Sequence, residues 1–147
     1  MKVSAFMIPA DKVVTCSPAD DIQSALDMMT AKKIGAVVVL HQSNYHMPVG
    51  IATKSDFVRA YQKGTPLTAH MGDIMSRNLT TVRDTLTRDD ASKFFDREKV
   101  HHAVVLGEKG EFMGLISSWD IAVECARDAR AWPWNRSPDG KFHKPAE

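Results

Sequence analysis

The chain has 147 residues, of which 44% are hydrophobic and 25% are charged. This length suffices for one ordinary domain or for two small units that share a core, and the composition is typical of a soluble globular protein. The 19 basic and 18 acidic residues give a formal net charge of only +1, so no global field attracts nucleic acid or an anionic membrane. No apolar run reaches the length of a membrane span, and we therefore expect neither a nucleic-acid nor a membrane partner.

The two cysteines, Cys16 and Cys125, are isolated in the sequence and have no CxxC spacing. The histidines likewise show no spacing with cysteine or acidic residues that would define a metal site. The N-terminus lacks a secretory hydrophobic region that ends in a small-residue cleavage site. We therefore expect a reduced, cytoplasmic protein without a metal site.

The first half of the chain predicts five elements in the order strand, helix, strand, strand and helix. A helix-start signal begins at Ser17, with Ser17 or Asp20 as the N-cap, and Gly35 occupies the position of a C-terminal glycine. The continuous β-branched run from Ala36 to Leu40 is typical of a strand that is covered on both faces. The other predicted elements are a first strand at Thr15, a polar loop at 41–47, a strand at 49–53 and a helix at 55–62.

The second half repeats this pattern at an offset of 66 residues. Residues Thr15–Leu40 align without a gap with Thr81–Leu106, and the following loop is two residues shorter in the second copy. After this loop Gly50–Asp56 aligns with Gly114–Asp120, and both segments contain Gly, two apolar residues, a hydroxyl residue, two variable positions and Asp. The predicted elements of the second copy are strands at 80–82, 103–106 and 112–117 and helices at 88–98 and 119–131.

The repeat predicts an α/β (α+β) fold with two β-α-β-β-α units. We predict a first repeat over 1–64, a second over 65–132, and a loose C-terminal tail over 133–147. Because a unit of about 60 residues buries too little apolar surface to be comfortably stable alone, we expect the repeats to pack sheet to sheet about a pseudo-twofold axis. The remaining helical faces favour a homodimer.

The strand–helix junctions Thr53–Asp56 and Ser117–Asp120 both have the S/T-x-x-acid pattern of a capping box, which needs no ligand. The same geometry also suits a nucleotide. The amides of a helix N-terminus favour phosphate, and a carboxylate can accept from both hydroxyls of a ribose. The same pattern occurs at the equivalent position of both copies, and this repetition favours nucleotide binding. The alternative is a ligand-free dimerisation or protein-interaction scaffold.

The duplicated order of motifs resembles the tandem CBS domains, named after cystathionine β-synthase. The resemblance covers roughly residues 3–131 and rests on matching segments in both copies, which are Phe6–Pro9 with Ile74–Ser76, Val14–Thr15 with Thr80–Thr81, Val37–Leu40 with Val104–Leu106, and the two Gly-to-Asp segments. It implies CBS-type repeats with pseudo-twofold symmetry that form a regulatory module. Such a module binds adenosine nucleotides (AMP, ADP or ATP) in clefts between the repeats, usually as a dimer.

The resemblance also implies roles for the residues at the two junctions. Asp56 and Asp120 would hold ribose hydroxyls, and Thr53 and Ser117 would hydrogen-bond phosphate. Lys54 lies inside the first motif and is predicted as a phosphate counter-charge.

Further candidates lie at the first and central strands. The resemblance places Thr15 and Thr81 on the adenine side. Family members contact base or phosphate just before the central strand, where this chain has Gly35 and Ala36 in one copy and His101 and His102 in the other. The two histidines depart from the usual small or apolar residues, and when protonated they would reach phosphate instead.

No catalytic arrangement is predicted. A Ser-His-Asp order, a Walker loop, a GxGxxG motif and paired carboxylates are all missing from the sequence in any suitable context. We therefore expect a regulatory module rather than an enzyme. It would need no obligatory cofactor, and its partners would be an adenosine nucleotide and a regulated protein.

Overall fold

The structure, a computed structural model, describes residues 1–131. The tail predicted at 133–147 lies outside these residues. The strands are β1 (Ile8–Pro9), β2 (Thr15–Cys16), β3 (Ala36–His41), β4 (Asn44–Thr53), β5 (Thr81–Arg83), β6 (His102–Leu106) and β7 (Phe112–Ser117). The α-helices are α1 (Ile22–Lys32), α2 (Lys54–Gln62), α3 (Met71–Ile74), α4 (Arg88–Glu98) and α5 (Ser118–Ala131).

The strands form two sheets with the same internal arrangement. One sheet has the order β2-β3-β4, and the other has the order β1-β7-β6-β5. In both sheets a parallel pair joins an antiparallel hairpin, and Thr15 faces Val38 as Thr81 faces Val104. The α/β fold of two β-α-β-β-α repeats is thereby confirmed.

The segment that leads into each repeat pairs with the sheet of the other repeat. Ile8 in β1 lies opposite Leu115 in β7, and Ser76 forms the corresponding bridge to Ile51 in β4. A second reciprocal pair of bridges joins Lys2 to Thr87 and His70 to Asp21. The exchange makes the two repeats mutually dependent, because each supplies backbone hydrogen bonds that the sheet of the other requires.

The core lies between the two sheets and beneath the helices of each repeat. Val38 of β3 and Val104 of β6 belong to one buried cluster that spans both sheets, and Val38 has no exposed surface. Burying a valine contributes roughly 1.5 to 3 kcal/mol, so this shared layer stabilises the pairing of the repeats. The sheet-to-sheet packing that the sequence predicted is confirmed.

The ends of α1 differ from the prediction. Its N-cap is Asp21, which accepts from the backbone N–H of Ser24 at 2.7 Å, and neither Ser17 nor Asp20 occupies this position. At its C-terminus Lys33 adopts the left-handed conformation, with φ 54° and ψ 43°, where we had expected Gly35 to provide the cap. The backbone N–H of Lys33 already bonds the last carbonyls of the helix, so the turn closes two residues early.

Two further elements were not predicted correctly. The loop expected at 41–47 contains only residues 42–43, because β3 continues to His41 and β4 begins at Asn44. The short helix Met71–Ile74 was not predicted at all. Within residues 1–131, no helix combines the length and apolarity that crossing a bilayer requires.

Candidate functional site: a cleft between the repeats

A cleft of about 550 Å³ lies between the two repeats at the N-terminus of α2. Its volume is within the range of small-molecule binding sites. The first repeat supplies Gly35, Ile51, the junction 53–56 and Arg59, and the second supplies Ser76, Asn78, Thr80 and residues 100–102. Any molecule that fills the cleft must contact both repeats.

The structure brings part of the predicted set together in this cleft. The predicted residues that line it are Gly35, Thr53, Lys54, Asp56, His101 and His102. Gly35 and Thr53 lie at the ends of paired strands, and the histidines come from the equivalent position of the second sheet. The pseudo-twofold arrangement therefore brings the central-strand residues of one repeat to the strand–helix junction of the other.

The other predicted residues lie elsewhere. Ala36 is buried in the core between the sheets, and Thr15 borders a separate cavity of about 340 Å³ near the β3–β4 hairpin. Thr81 is exposed on the edge strand β5. Ser117 and Asp120 form the start of α5 and do not line the cleft at α2.

Several lining residues were missed by the sequence reasoning. Arg59 lies one helical turn after Asp56, and this i, i+3 spacing was the signal that would have identified it. Ser76, Asn78 and Thr80 carry no such local signal, because only the exchange of the leading segments brings them to the cleft.

The residues that cap the start of α2 also line the cleft. Thr53 has extended backbone angles, and its N–H donates to Oδ2 of Asp56 at 2.8 Å. The Thr53 hydroxyl is 3.3 Å from the same oxygen, while Oδ1 accepts from Nη2 of Arg59 at 2.5 Å. Asp56 is only 8% exposed. The capping interpretation is therefore correct for the local geometry, and the capped carboxylate still borders the cleft.

Two cations accompany this carboxylate in the cleft. Lys54 lies across Gly35, so that a side-chain carbon built on Gly35 would be 3.3 Å from Cε of Lys54. Arg59 is the second cation, and Asp56 is the only carboxylate among the lining residues that the structure describes. This balance of charge, at a helix N-terminus, favours an anionic ligand.

The half-buried histidine of the cleft, His102, is poorly suited to act as a cation. Burial lowers the pKa of His102 below its ordinary value, the neighbouring His101 lowers it further, and Asp120 raises it in part. His102 is therefore neutral at pH 7, where its imidazole both donates and accepts a hydrogen bond. The expected contact of a protonated imidazole with phosphate is thus not favoured for His102 at neutral pH.

The second junction has the same backbone geometry but lacks these charges. The Ser117 N–H and hydroxyl donate to Oδ2 of Asp120 at 2.9 and 2.8 Å, and the Asp120 N–H donates to the Ser117 hydroxyl at 3.1 Å. The positions of Lys54 and Arg59 are taken by Ser118 and Val123. No group of three or more metal-binding side chains occurs within residues 1–131.

Comparison with known proteins agrees with this architecture, since residues 3–63 and 71–127 both match the CBS domain. The chain belongs to the CBS domain family. The inosine-5'-monophosphate dehydrogenase of Korarchaeum cryptofilum is 31% identical over 109 residues, which make up 74% of this chain and 21% of the enzyme. The chain thus spans about a fifth of the length of that dehydrogenase.

Two further relatives are matched over most of their length. The CBS domain-containing protein YhcV of Bacillus subtilis is 24% identical over 76% of this chain and 78% of its own. A CBS domain protein from Pyrobaculum aerophilum, solved in complex with AMP, has a TM-score of 0.75 at 23% identity. That match covers 86% of this chain and 99% of the archaeal chain, so the tandem CBS fold is confirmed.

Proposed function

We propose that this CBS pair is a regulatory module that binds an adenosine nucleotide (AMP, ADP or ATP) in the cleft at the start of α2. One observation carries the proposal: the capped carboxylate of Asp56, the hydroxyl of Thr53 and the cations of Lys54 and Arg59 meet at a helix N-terminus within one cleft. The AMP complex of the archaeal relative supports the same ligand class.

Each part of a nucleotide finds suitable partners in this cleft. The Asp56 carboxylate would accept from the ribose hydroxyls, and the phosphate would contact the first amides of α2, the Thr53 hydroxyl and the ammonium of Lys54. The base would lie towards the apolar side chains of Ile51 and Val100, which also line the cleft. We propose that this is the main site, because Ser117 and Asp120 have no comparable cations.

Regulation follows from the position of the cleft between the repeats. A ligand that contacts both repeats binds one relative arrangement of them better than another, and it shifts their equilibrium by that difference in affinity. We propose that the shift acts on a homodimer or on a regulated protein, with 1–64 and 65–132 as the two moving repeats. The described residues assemble no nucleophile, base and oxyanion donors, and we therefore propose binding without catalysis.

Isothermal titration calorimetry with AMP, ADP, ATP and GMP tests the proposal. Heat of binding is expected for at least one adenosine nucleotide, and Asp56→Ala should weaken that binding by about 1 to 3 kcal/mol, the usual cost of unpaired polar groups. Asp120→Ala is the matched control from the second junction and should have the smaller effect. Absence of heat with every adenosine nucleotide would refute the proposal.

A ligand-free scaffold is the second candidate, and one observation favours it. Both oxygens of Asp56 already have protein partners, so the carboxylate is hydrogen-bonded without any ligand. A thermal-shift experiment separates the two functions, since a ligand at 100 times its Kd should stabilise the native state by about 2.7 kcal/mol. A melting temperature that does not respond to millimolar nucleotides would favour the scaffold.

A further inference from the structure

Asp56 and Arg59 form a short ion pair inside the cleft. Nη2 of Arg59 lies 2.5 Å from Oδ1 of Asp56, while Oδ2 accepts from the N–H of Thr53 at 2.8 Å. Both oxygens of the carboxylate therefore have partners within the protein itself. Each carboxylate oxygen can accept two hydrogen bonds, and Oδ2 is already within reach of both the N–H and the hydroxyl of Thr53. A ribose that donates both of its hydroxyls to Asp56 therefore needs Oδ1, where it competes with Arg59.

The two partners of the carboxylate are not equally easy to displace. The Thr53 N–H belongs to the cap of α2, and losing that bond would disturb the start of the helix. The Arg59 side chain is 60% exposed, whereas that of Asp56 is 9% exposed. A guanidinium on a long, solvated stem can rotate away without any change in the backbone. Arg59 is thus the partner that a ligand would displace.

We propose that Arg59 makes the cleft selective for phosphorylated adenosine over adenosine itself, an inference that rests on the proposed function. A ribose would take Oδ1 of Asp56 and release the guanidinium. The phosphate of the same ligand then offers Arg59 a new charge-assisted, bidentate partner. Adenosine would break the same ion pair and offer the guanidinium nothing in return, so the exchange of partners favours only the nucleotide.

The second repeat supplies an internal comparison. Val123 occupies the position of Arg59, and among the described residues the carboxylate of Asp120 bonds only with Ser117. Lys54 offers a second comparison within the first cleft, because it is a cation that lines the cleft without pairing with Asp56. Of the two lysine and arginine side chains that line the cleft among the described residues, only Arg59 would therefore be released by a bound ribose and become available to the phosphate.

Calorimetric titration of the full chain with AMP and with adenosine tests this role in the wild type, Arg59→Met and Lys54→Met. Methionine keeps most of the aliphatic stem and removes the charge. The wild type should prefer AMP to adenosine by about tenfold or more, the usual range for a charge-assisted hydrogen bond. Arg59→Met should bind AMP more weakly and adenosine several-fold more tightly, whereas Lys54→Met should weaken only AMP binding.

Two results would overturn the role of Arg59 and leave nucleotide binding intact. One is an adenosine affinity that stays unchanged or falls in Arg59→Met while the wild type binds AMP. The other is an equal gain of adenosine affinity in Lys54→Met, because any loss of positive charge would then suffice. If neither the wild type nor Arg59→Met binds an adenine compound, the proposed function fails together with this inference. Should Arg59→Met not fold, Arg59→Lys takes its place, because lysine retains the charge without the planar fork. Arg59→Lys should prefer AMP to adenosine, but less strongly than the wild type does.

Discussion

The backbone of Ile8 passes so close to Gly114 that a side-chain carbon on Gly114 would lie 2.3 Å from the Ile8 carbonyl oxygen. Gly114 opens the second Gly-to-Asp motif and faces Pro9 across the β1–β7 pair. The glycine of this motif therefore makes room for the strand that the first repeat contributes. It serves the pairing of the repeats rather than direct contact with a ligand.

Replacing Gly114 with alanine should destabilise the protein by about 2 to 3 kcal/mol, because the new methyl group would meet backbone that cannot move without breaking a strand pair. Gly50→Ala is the matched control from the first repeat. There the nearest atom is the sulfur of Met75 at 2.5 Å, on a flexible side chain, so a smaller loss is expected. Urea denaturation measures both variants, and equal losses would contradict the distinction between backbone and side-chain contacts.

Lys33→Gly should increase the free energy of unfolding by about 0.5 to 1 kcal/mol. Lys33 has a φ of 54°, in the left-handed region that glycine adopts without a steric penalty. Lys32→Gly is the control one residue earlier, within the helix, and should destabilise by up to about 1 kcal/mol. Chemical denaturation of both variants checks the prediction, which fails if Lys33→Gly is the more destabilised of the two.

Stability should decline as the pH falls below about 6.5, the ordinary pKa of histidine. Burial and the neighbouring His101 lower the pKa of His102 in the folded protein, with Asp120 acting in the opposite direction. Between the folded and unfolded pKa values the unfolded chain binds more protons, so the free energy of unfolding rises with pH through that window.

Denaturation of His102→Gln between pH 5 and 8 tests this origin of the pH dependence. As the pH falls, the free energy of unfolding of the variant should decrease less than that of the wild type, because the glutamine side chain does not titrate. His46→Gln changes an exposed histidine and should keep the wild-type profile. Identical profiles for all three proteins would assign the decline to other groups.

The two cysteines should react at very different rates. Cys125 is exposed, whereas burial, reinforced by the charge of Asp20, raises the pKa of Cys16 to about 12. The thiolate is the reactive form, so Cys16 is protected both by its protonation and by its position. Titration with a chromogenic disulfide reagent should modify one thiol per native chain quickly and the second only on unfolding. Two fast thiols in the native protein would be inconsistent with the buried position of Cys16.

Much of the fold was predictable because it depends on patterns that lie within one repeat. The helix expected at 88–98 is observed as Arg88–Glu98, and the strand expected at 112–117 is observed as Phe112–Ser117. The capping boxes at Thr53–Asp56 and Ser117–Asp120 were equally visible, since the groups of such a cap lie three residues apart. The N-terminus of α1 was missed because Asp21 competes with Ser17 and Asp20, which have similar capping propensities. Its C-terminus was missed because Lys33 adopts a left-handed conformation that glycine favours more strongly.

The sequence by itself thus determined that two equivalent repeats exist, which residues begin their second helices, and where their central strands run. The tertiary structure alone decided which residues of one repeat meet those of the other. Asn78 and Thr80 reach the cleft beside Thr53 because the leading segments are exchanged between the sheets. Such a pairing depends on contacts between residues far apart in the chain. The spacing of residues along the sequence does not reveal this pairing. It is set by the backbone hydrogen bonds between the repeats and by the packing of the two sheets around one core.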